Sequence, residues 1–383
     1  MELKELQQHI RTLVTIEESE APMISCYLNL ETSGQCAAFE ERVHLLRKTF
    51  ATAEKRQVFE EAVALIEGYL ALGIHPGTKG LVVFARGGAQ RFFLPLQFRV
   101  PLPDWIAVNS LPNIYHLVEL KDTYHRYVIM LASEGGIRIL GVNLGAVTQD
   151  IWDKRPEIRQ RVARAWTKEH YRSHARERTN QLIHEWIHLL ERLMLAGGYK
   201  HLILAGNPRA TSRICKALSK PLAATLIDVV GASASDALSD IVRATLLSFI
   251  EHEEKESVAF VDKLQQAIHR DGLAVAGTRA SWDALQAGQA DVLILAKAYS
   301  PDSGWICADC EATAVETAMP NRCPLCGKHK LSALDVKEAM IRCAEQAGCG
   351  VEVVNHSDAL MRLGGVGCLL RYLAPDQYRR SAA

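Results

Sequence analysis

The run from Leu182 to Gly206 constrains the fold of this chain more than any other stretch. Leu182, Ile183, Trp186, Leu189, Leu190 and Leu193 recur at helical spacing and build one apolar face. Gly197 and Gly198 end that helix, since the position past the last turn favours a positive φ that glycine adopts without steric cost. His201–Gly206 follows as an unbroken apolar run, the mark of a strand covered on both faces. A helix leading directly into such a strand implies a parallel sheet with helices packed on it, and so an α/β architecture.

At 383 residues the chain is long enough for two or three cores, and the alternation recurs three times. In the first part Met23–Leu30 reads as a strand, two helical stretches reach about Leu72, and Lys79–Ala85 is another strand. Arg86–Gln90 then turns the chain into Arg91–Leu96 as a hairpin. Pro101, Pro103 and Pro112 punctuate what reads as an irregular linker. In the second part Tyr127–Ala132 and Ile137–Val142 form a hairpin, and two helices lead to the Leu202 strand. A helix after Pro208, a strand from Leu226 to Val230 and a helix from about Asp236 follow, with a polar helical stretch at Glu251–Glu256. In the third part Leu273–Gly277, a helix through Trp282 and Leu285, and Asp291–Ala296 form a βαβ unit. A helix from about Ala333, a strand at Val351–Val354 and a last strand near Cys368 complete it. The expectation is three α/β domains in series, 1–120, 121–256 and 257–383, with a small insertion at 305–328.

That insertion carries the sharpest chemical signal. Cys307 and Cys310 form one pair two residues apart, and Cys323 and Cys326 form another after twelve residues. Two such pairs supply four soft thiolates for a tetrahedral zinc ion, with no open position for water. The expected cofactor is therefore a structural zinc. Met1–Leu6 reads as the start of an amphipathic helix rather than a secretion signal, and no apolar run has membrane-spanning length. These features point to a cytoplasmic protein, where paired cysteines suggest metal before disulfide. Cys26, Cys36, Cys215, Cys343, Cys349 and Cys368 lack such spacing and read as buried thiols.

Lys plus Arg and Asp plus Glu both number 44, so any polyanion-binding surface must be local. Arg161, Arg164, Lys168, Arg172 and Arg176 recur every three or four residues and share one helix face, with Lys154 and Arg155 just upstream. Such a stripe suits successive phosphates, and arginine adds planar, bidentate geometry. Glu157, Glu169 and Glu177 moderate it, and a solvated charged face stays the alternative. His184–His188 spells the H-E-x-x-H pattern of zinc proteases. Both histidines fall on the side opposite Trp186, so they read as an outward pair rather than metal ligands.

The segment His170–His174, the helix after it, and Gly198–Pro208 together resemble the middle domain of the archaeo-eukaryotic release factor and Pelota superfamily, in its bacterial branch. The chain is similar there to the hibernation factor Balon. The resemblance implies a ribonuclease-H-like middle domain and a C-terminal α/β sandwich with an inserted zinc ribbon. It also implies a catalytic Gly-Gly-Gln tip between Val142 and the basic helix. Leu144–Pro156 occupies that place and contains Gln149, but no glycine pair precedes it. Gly87, Gly88 and Gln90 are interrupted by Ala89 and lie in the first domain.

Without the glycine loop, the resemblance points to a non-enzymatic ribosome-binding translation factor. It would act in hibernation or rescue and occupy the A site through rRNA contacts. Elongation factor Tu or another translational GTPase is the implied partner. A peptidyl-tRNA hydrolase-type release factor using Gln149, and a protein-binding adaptor, are the alternatives.

Overall fold

Two stretches far apart in sequence, Leu3–Thr123 and the chain from Glu253 onward, group into one unit, and Tyr124–His252 forms a second. The computed structural model describes residues 1–32, 35–50, 52–72, 74–133, 136–154, 168–233 and 236–372. No helix among them is long and apolar enough to cross a membrane.

The N-terminal stretch of the first unit runs α1 (Leu3–Val14), β1 (Met23–Asn29), α2 (Gln35–Arg47), α3 (Ala53–Ala71), β2 (Gly80–Arg86), β3 (Phe92–Phe98), β4 (Trp105–Asn109) and α4 (Tyr115–Thr123). Its strands form an antiparallel sheet in the order β3-β2-β1-β4. Phe39 and Val43 of α2 and Phe59, Val63 and Ile66 of α3 cover the face that carries Ile24, Cys26, Leu81 and Val83. The Thr52 hydroxyl caps α3 by accepting the Lys55 N–H. The hairpin at Gly87–Gln90 is present, with Gly88 at φ 75° and its N–H donated to Glu61. The proline-punctuated stretch is more ordered than its composition implies. Pro101, Pro103 and Pro112 flank the five-residue edge strand β4 without interrupting it, and α4 follows.

The second unit runs β5 (Tyr127–Ser133), β6 (Gly136–Asn143), β7 (Ala146–Lys154), α5 (Lys168–Gly197), β8 (His201–Gly206), α6 (Pro208–Ala217), α7 (Lys220–Thr225) and β9 (Leu226–Gly231). Then comes α8 (Leu238–His269), whose residues up to His252 belong here. An antiparallel meander, β5-β6-β7, is extended by β8 and β9 parallel to β5, in the order β7-β6-β5-β8-β9. This is the ribonuclease-H-like arrangement expected of the middle segment. Ile183, Trp186, Ile187, Leu190 and Met194 of α5 bury one face of the sheet. Ile241 and Phe249 of α8 bury the other, where Phe249 stacks on Tyr127 at 4.6 Å between ring centroids.

Gly206 ends β8 at φ 141°, and a Cβ there would lie 2.0 Å from the Ala132 carbonyl oxygen on β5. Gly206→Ala is therefore expected to separate two central strands and lower stability by at least about 1–3 kcal/mol. A shift in the denaturant midpoint measures this; an unchanged midpoint refutes the close-packing account.

The remaining stretch of the first unit adds β10 (Ala274–Ala276), α9 (Thr278–Gln286), β11 (Ala290–Ala296), β12 (Gly304–Cys307), β13 (Thr313–Ala314), β14 (Leu331–Leu334), α10 (Val336–Gln346), β15 (Gly350–Val354), α11 (Asp358–Arg362) and β16 (Val366–Leu370). The main sheet has the order β10-β16-β11-β15. The β10-α9-β11 unit is present, but β16 lies between its strands and is antiparallel to both. That pairing spans about ninety residues of chain and leaves no local sequence mark.

Helix α10 grips the N-terminal stretch at two helix ends. Glu338 accepts the N–H groups of Ile114 (2.7 Å) and Tyr115 (3.1 Å), where α4 begins. Arg342 donates to the carbonyls of Leu13 and Val14 (3.1 Å each), where α1 ends, and to Pro112 (2.6 Å). Each charge thus sits at the helix end whose dipole favours it. Asp122 of α4 accepts the Val353 N–H of β15 at 2.7 Å, and Lys121 pairs with Glu345.

Burial pushes the Glu338 carboxyl up to about 7, outweighing the Ile114 N–H and the Arg342 charge. Because the folded pKa exceeds the unfolded one, folding takes up a proton over this range. The contribution of Glu338 is complete below about pH 4.3, the ordinary Glu value, and is lost as pH rises through about 7. Melting followed from pH 5 to 8 should show that decline, and Glu338→Gln should flatten it. Equal slopes in both proteins would contradict the assignment.

Candidate metal centre and basic surface

The four paired cysteines stand on a three-stranded ribbon of order β13-β12-β14. Its core is small: Trp305, Cys307 and Cys323 are buried, with Ala312, Ala314 and Leu331 packed around them. Cys307 closes β12, and the chain turns back at Cys310, where Glu311 adopts φ 57°. Gly327, at φ 72°, makes the corresponding turn after Cys326. These turns point backbone N–H groups at sulfur. The Ala312 N–H serves Cys310, those of Cys326 and Leu325 serve Cys323, and that of Lys328 serves Cys326. The Cys326 N–H is the main reason that the Cys323 thiol is lowered to about 7.

All four Sγ atoms lie within 4.8 Å of one another. The Cys307–Cys326 and Cys310–Cys323 separations are both 3.6 Å. Four sulfurs about 2.3 Å from a tetrahedral zinc would be separated by about 3.8 Å. The donor set and its N–H support therefore fit a closed tetrathiolate site, and these residues could hold a metal ion.

The other described cysteines stand apart from the ribbon. Cys26, Cys349 and Cys368 are buried, whereas Cys215 and Cys343 are half-buried. Burial raises the Cys349 thiol to about 11 and the Cys368 thiol to about 12, so neither supplies thiolate near neutrality. The side chain of Cys36 lies outside the described residues. His184 and His188 of the H-E-x-x-H pattern are exposed, while Trp186 and Ile187 face the core. His188 Nδ1 instead meets Glu191 at 3.2 Å.

Among the phosphate-binding candidates, Arg155, Arg161 and Arg164 lie outside the described residues. The backbone places Lys154 at the end of β7 and Lys168, Arg172 and Arg176 on the first turns of α5; their side chains also lie outside the described residues.

The candidate tip differs from its sequence reading. Ala146–Lys154 is not a loop but strand β7, entered through a tight turn with Leu144 at φ 46° and Gly145 at φ 71°. Gln149 sits on that strand in register with Gly141, and it is exposed. As an edge strand, β7 keeps polar residues along its length, which hides its period in the sequence. The cross-strand pair of Arg138 with Asp150 at 2.7 Å holds it in place.

A second basic surface went unnoticed in the sequence. Arg209, Arg213 and Lys216 of α6, and Lys220 at the start of α7, are all exposed. The signal was available: between Arg192 and Ile227 there is no aspartate or glutamate.

Residues 112–249 match the family described as Bacterial archaeo-eukaryotic release factor family 10. The chain is 29% identical over 155 residues to peptide chain release factor subunit 1 of Pyrococcus abyssi, covering 35% of each. It is also 29% identical over 143 residues to the same factor of Thermococcus onnurineus, covering 32% of this chain and 34% of that one. It thus spans about a third of the length of the curated relatives it matches. Among solved structures it is similar to Archaeoglobus fulgidus Pelota, with 12% identity, a TM-score of 0.38, and 97% of this chain and 93% of that chain covered. A ribosome-bound archaeal Pelota gives 12% identity, a TM-score of 0.41, and coverage of 97% and 94%. The resemblance to the bacterial branch of the release-factor superfamily therefore holds for residues 112–249.

Proposed function

Taking residues 112–249 as a release-factor-like middle domain of the bacterial branch, we propose that this protein is a ribosome-binding translation factor. It occupies the A site through rRNA contacts and acts in hibernation or rescue, as the similarity to Balon implies, without hydrolysing peptidyl-tRNA. The observation that carries the reading is the family match, which falls on the segment with the ribonuclease-H-like sheet. The three domains, 1–120, 121–256 and 257–383, would divide the work, with the middle one bringing its basic stripe to rRNA. Arg161, Arg164, Lys168, Arg172 and Arg176 would neutralise successive phosphates, and Lys154 and Arg155 would do so nearer the tip. Each phosphate neutralised releases condensed counterions, so binding should weaken steeply with salt.

The absence of a Gly-Gly pair before Gln149, and its position in a paired strand, support a factor that binds without catalysis. A translational GTPase, elongation factor Tu foremost, is the proposed partner. Cys307, Cys310, Cys323 and Cys326 would hold a zinc ion that staples the ribbon and takes no part in chemistry.

Co-sedimentation with vacant bacterial ribosomes at two salt concentrations, with and without elongation factor Tu, tests the proposal. Salt-sensitive binding is expected. No binding under any of these conditions would remove the ribosome from the account and leave a protein-binding adaptor.

The names of the release-factor relatives favour one other reading, hydrolysis through Gln149. Peptidyl-tRNA hydrolysis on stalled ribosomes that disappears in Gln149→Ala would establish it. Our reading expects no hydrolysis by either protein.

A further inference from the structure

We propose that the outer face of α6 is a second RNA-binding surface, which grips the phosphate backbone independently of the stripe from Arg161 to Arg176. Arg209, Arg213 and Lys216 are spaced four and three residues apart. At about 100° per residue they lie within about 60° of one another. The opposite side of α6 is its packed face, with Thr211 and Ile214 buried. The three cations are exposed, and Lys220 extends the row at the start of α7.

Stability does not account for this row. Asn207 caps α6 and Pro208 is its first residue, so Arg209 occupies the second helical position. The helix dipole favours an anion there, so Arg209 stands against the field, whereas Lys216 in the last turn stands with it. Acidic neighbours do not compensate. Glu191 of α5 reaches the α6–α7 turn, but it is engaged by the Ser219 hydroxyl at 2.7 Å and by His188. Among the described residues none of the four cations forms an ion pair. An exposed row of cations without ion-pair partners, begun by a residue that its own helix disfavours, suggests a ligand of opposite charge.

The surroundings favour a nucleic acid over an acidic protein segment. A cavity of about 410 Å³ opens beside the same helix, lined by Gly206, Thr211, Ser212 and Val229–Gly231. Its small and apolar lining, with the Ser212 hydroxyl at its side, has room for an unpaired nucleotide of rRNA, while the cations by themselves suit the phosphates of a duplex. An acidic peptide would use the charges and leave the cavity empty.

The inference rests on the ribosome-binding reading for the identity of the partner, but not on the stripe from Arg161 to Arg176. Its test uses the full chain and the triple variant Arg209→Gln, Arg213→Gln, Lys216→Gln. The probes are vacant bacterial ribosomes, a labelled 20-base-pair RNA duplex and poly-glutamate. The variant should bind ribosomes and duplex at least tenfold more weakly. Its salt dependence should fall by about 2–3 in slope, since each lost phosphate contact removes about 0.7–0.9. Its melting should be unchanged, and a Lys-for-Arg variant at positions 209 and 213 should retain the slope.

Ribosome binding by the wild type with equal affinity and slope in the variant would overturn the α6 surface and leave the ribosome reading standing. Binding to the duplex but not to ribosomes, lost in the variant, would support the α6 surface and remove the ribosome. Tighter binding to poly-glutamate than to duplex would overturn it in favour of an acidic protein.

Discussion

Replacing Cys323 or Cys307 with serine should release one zinc ion per chain and unfold the ribbon from Gly304 to Leu334. The expectation follows from how little else holds the ribbon. Its buried side chains are Trp305, Val315 and two of the four cysteines themselves, and a core of that size does not offset the conformational entropy of about thirty residues. In small metal-stapled domains, zinc binding contributes on the order of 10 kcal/mol to folding. The two main sheets of the first unit and the sheet of the second have cores of their own, so damage should stay local. Metal content by mass spectrometry and limited proteolysis between residues 304 and 334 read the effect. Metal-free wild-type protein with undiminished protease resistance in that segment would disprove the staple.

Reversing the charge of Arg161, Arg164 and Arg172 to glutamate should reduce ribosome affinity by at least a hundredfold at physiological salt. Three phosphate contacts are removed and three repulsions added, and the salt dependence should become shallower by about 2–3 in slope. Solvated arginines remote from the ribosome would leave both numbers unchanged. The circular dichroism of the variant should match the wild type, because none of the three belongs to the apolar face that begins at Leu182. Unaltered ribosome binding in a folded variant would discard the stripe. Combined with the α6 substitutions, the loss should grow, because the two cation rows are separate in the chain and would contact different phosphates.

The most plainly legible strands are those buried on both faces, although the edge strands β3, β9, β10 and β15 were also read from the sequence. β1, β2, β5 and β8 are continuous apolar runs, and burial alone explains why they appear so in the sequence. Two edge strands, β4 and β7, were harder to see. β4 hid among prolines, and β7, with Thr148, Gln149, Asp150 and Asp153, looked like the loop that the release-factor resemblance led one to expect. The outward placement of His184 and His188 came directly from helical geometry, because a wheel centred on Trp186 needs no tertiary information. The cations of α6 were missed because a row of three on a ten-residue helix is short. Its exposure, and the lack of an acidic neighbour, emerge only once the packing of α5 and α7 is known.

The sequence by itself determined the local and the covalent features of this protein. These are the α/β alternation, the four thiolates at knuckle spacing, and the apolar faces of α5 and β8. Each depends on residues within a few turns or a single strand, where spacing maps directly onto geometry. The tertiary structure alone decided the long-range pairings. It placed β16 between β10 and β11, and it joined α10 to the ends of α1 and α4 through Arg342 and Glu338. Those contacts bridge as many as 329 positions. No local pattern encodes them, because a buried glutamate and an ordinary surface glutamate have the same spacing in a helix. Which of the two a residue becomes depends on what the rest of the chain packs against it.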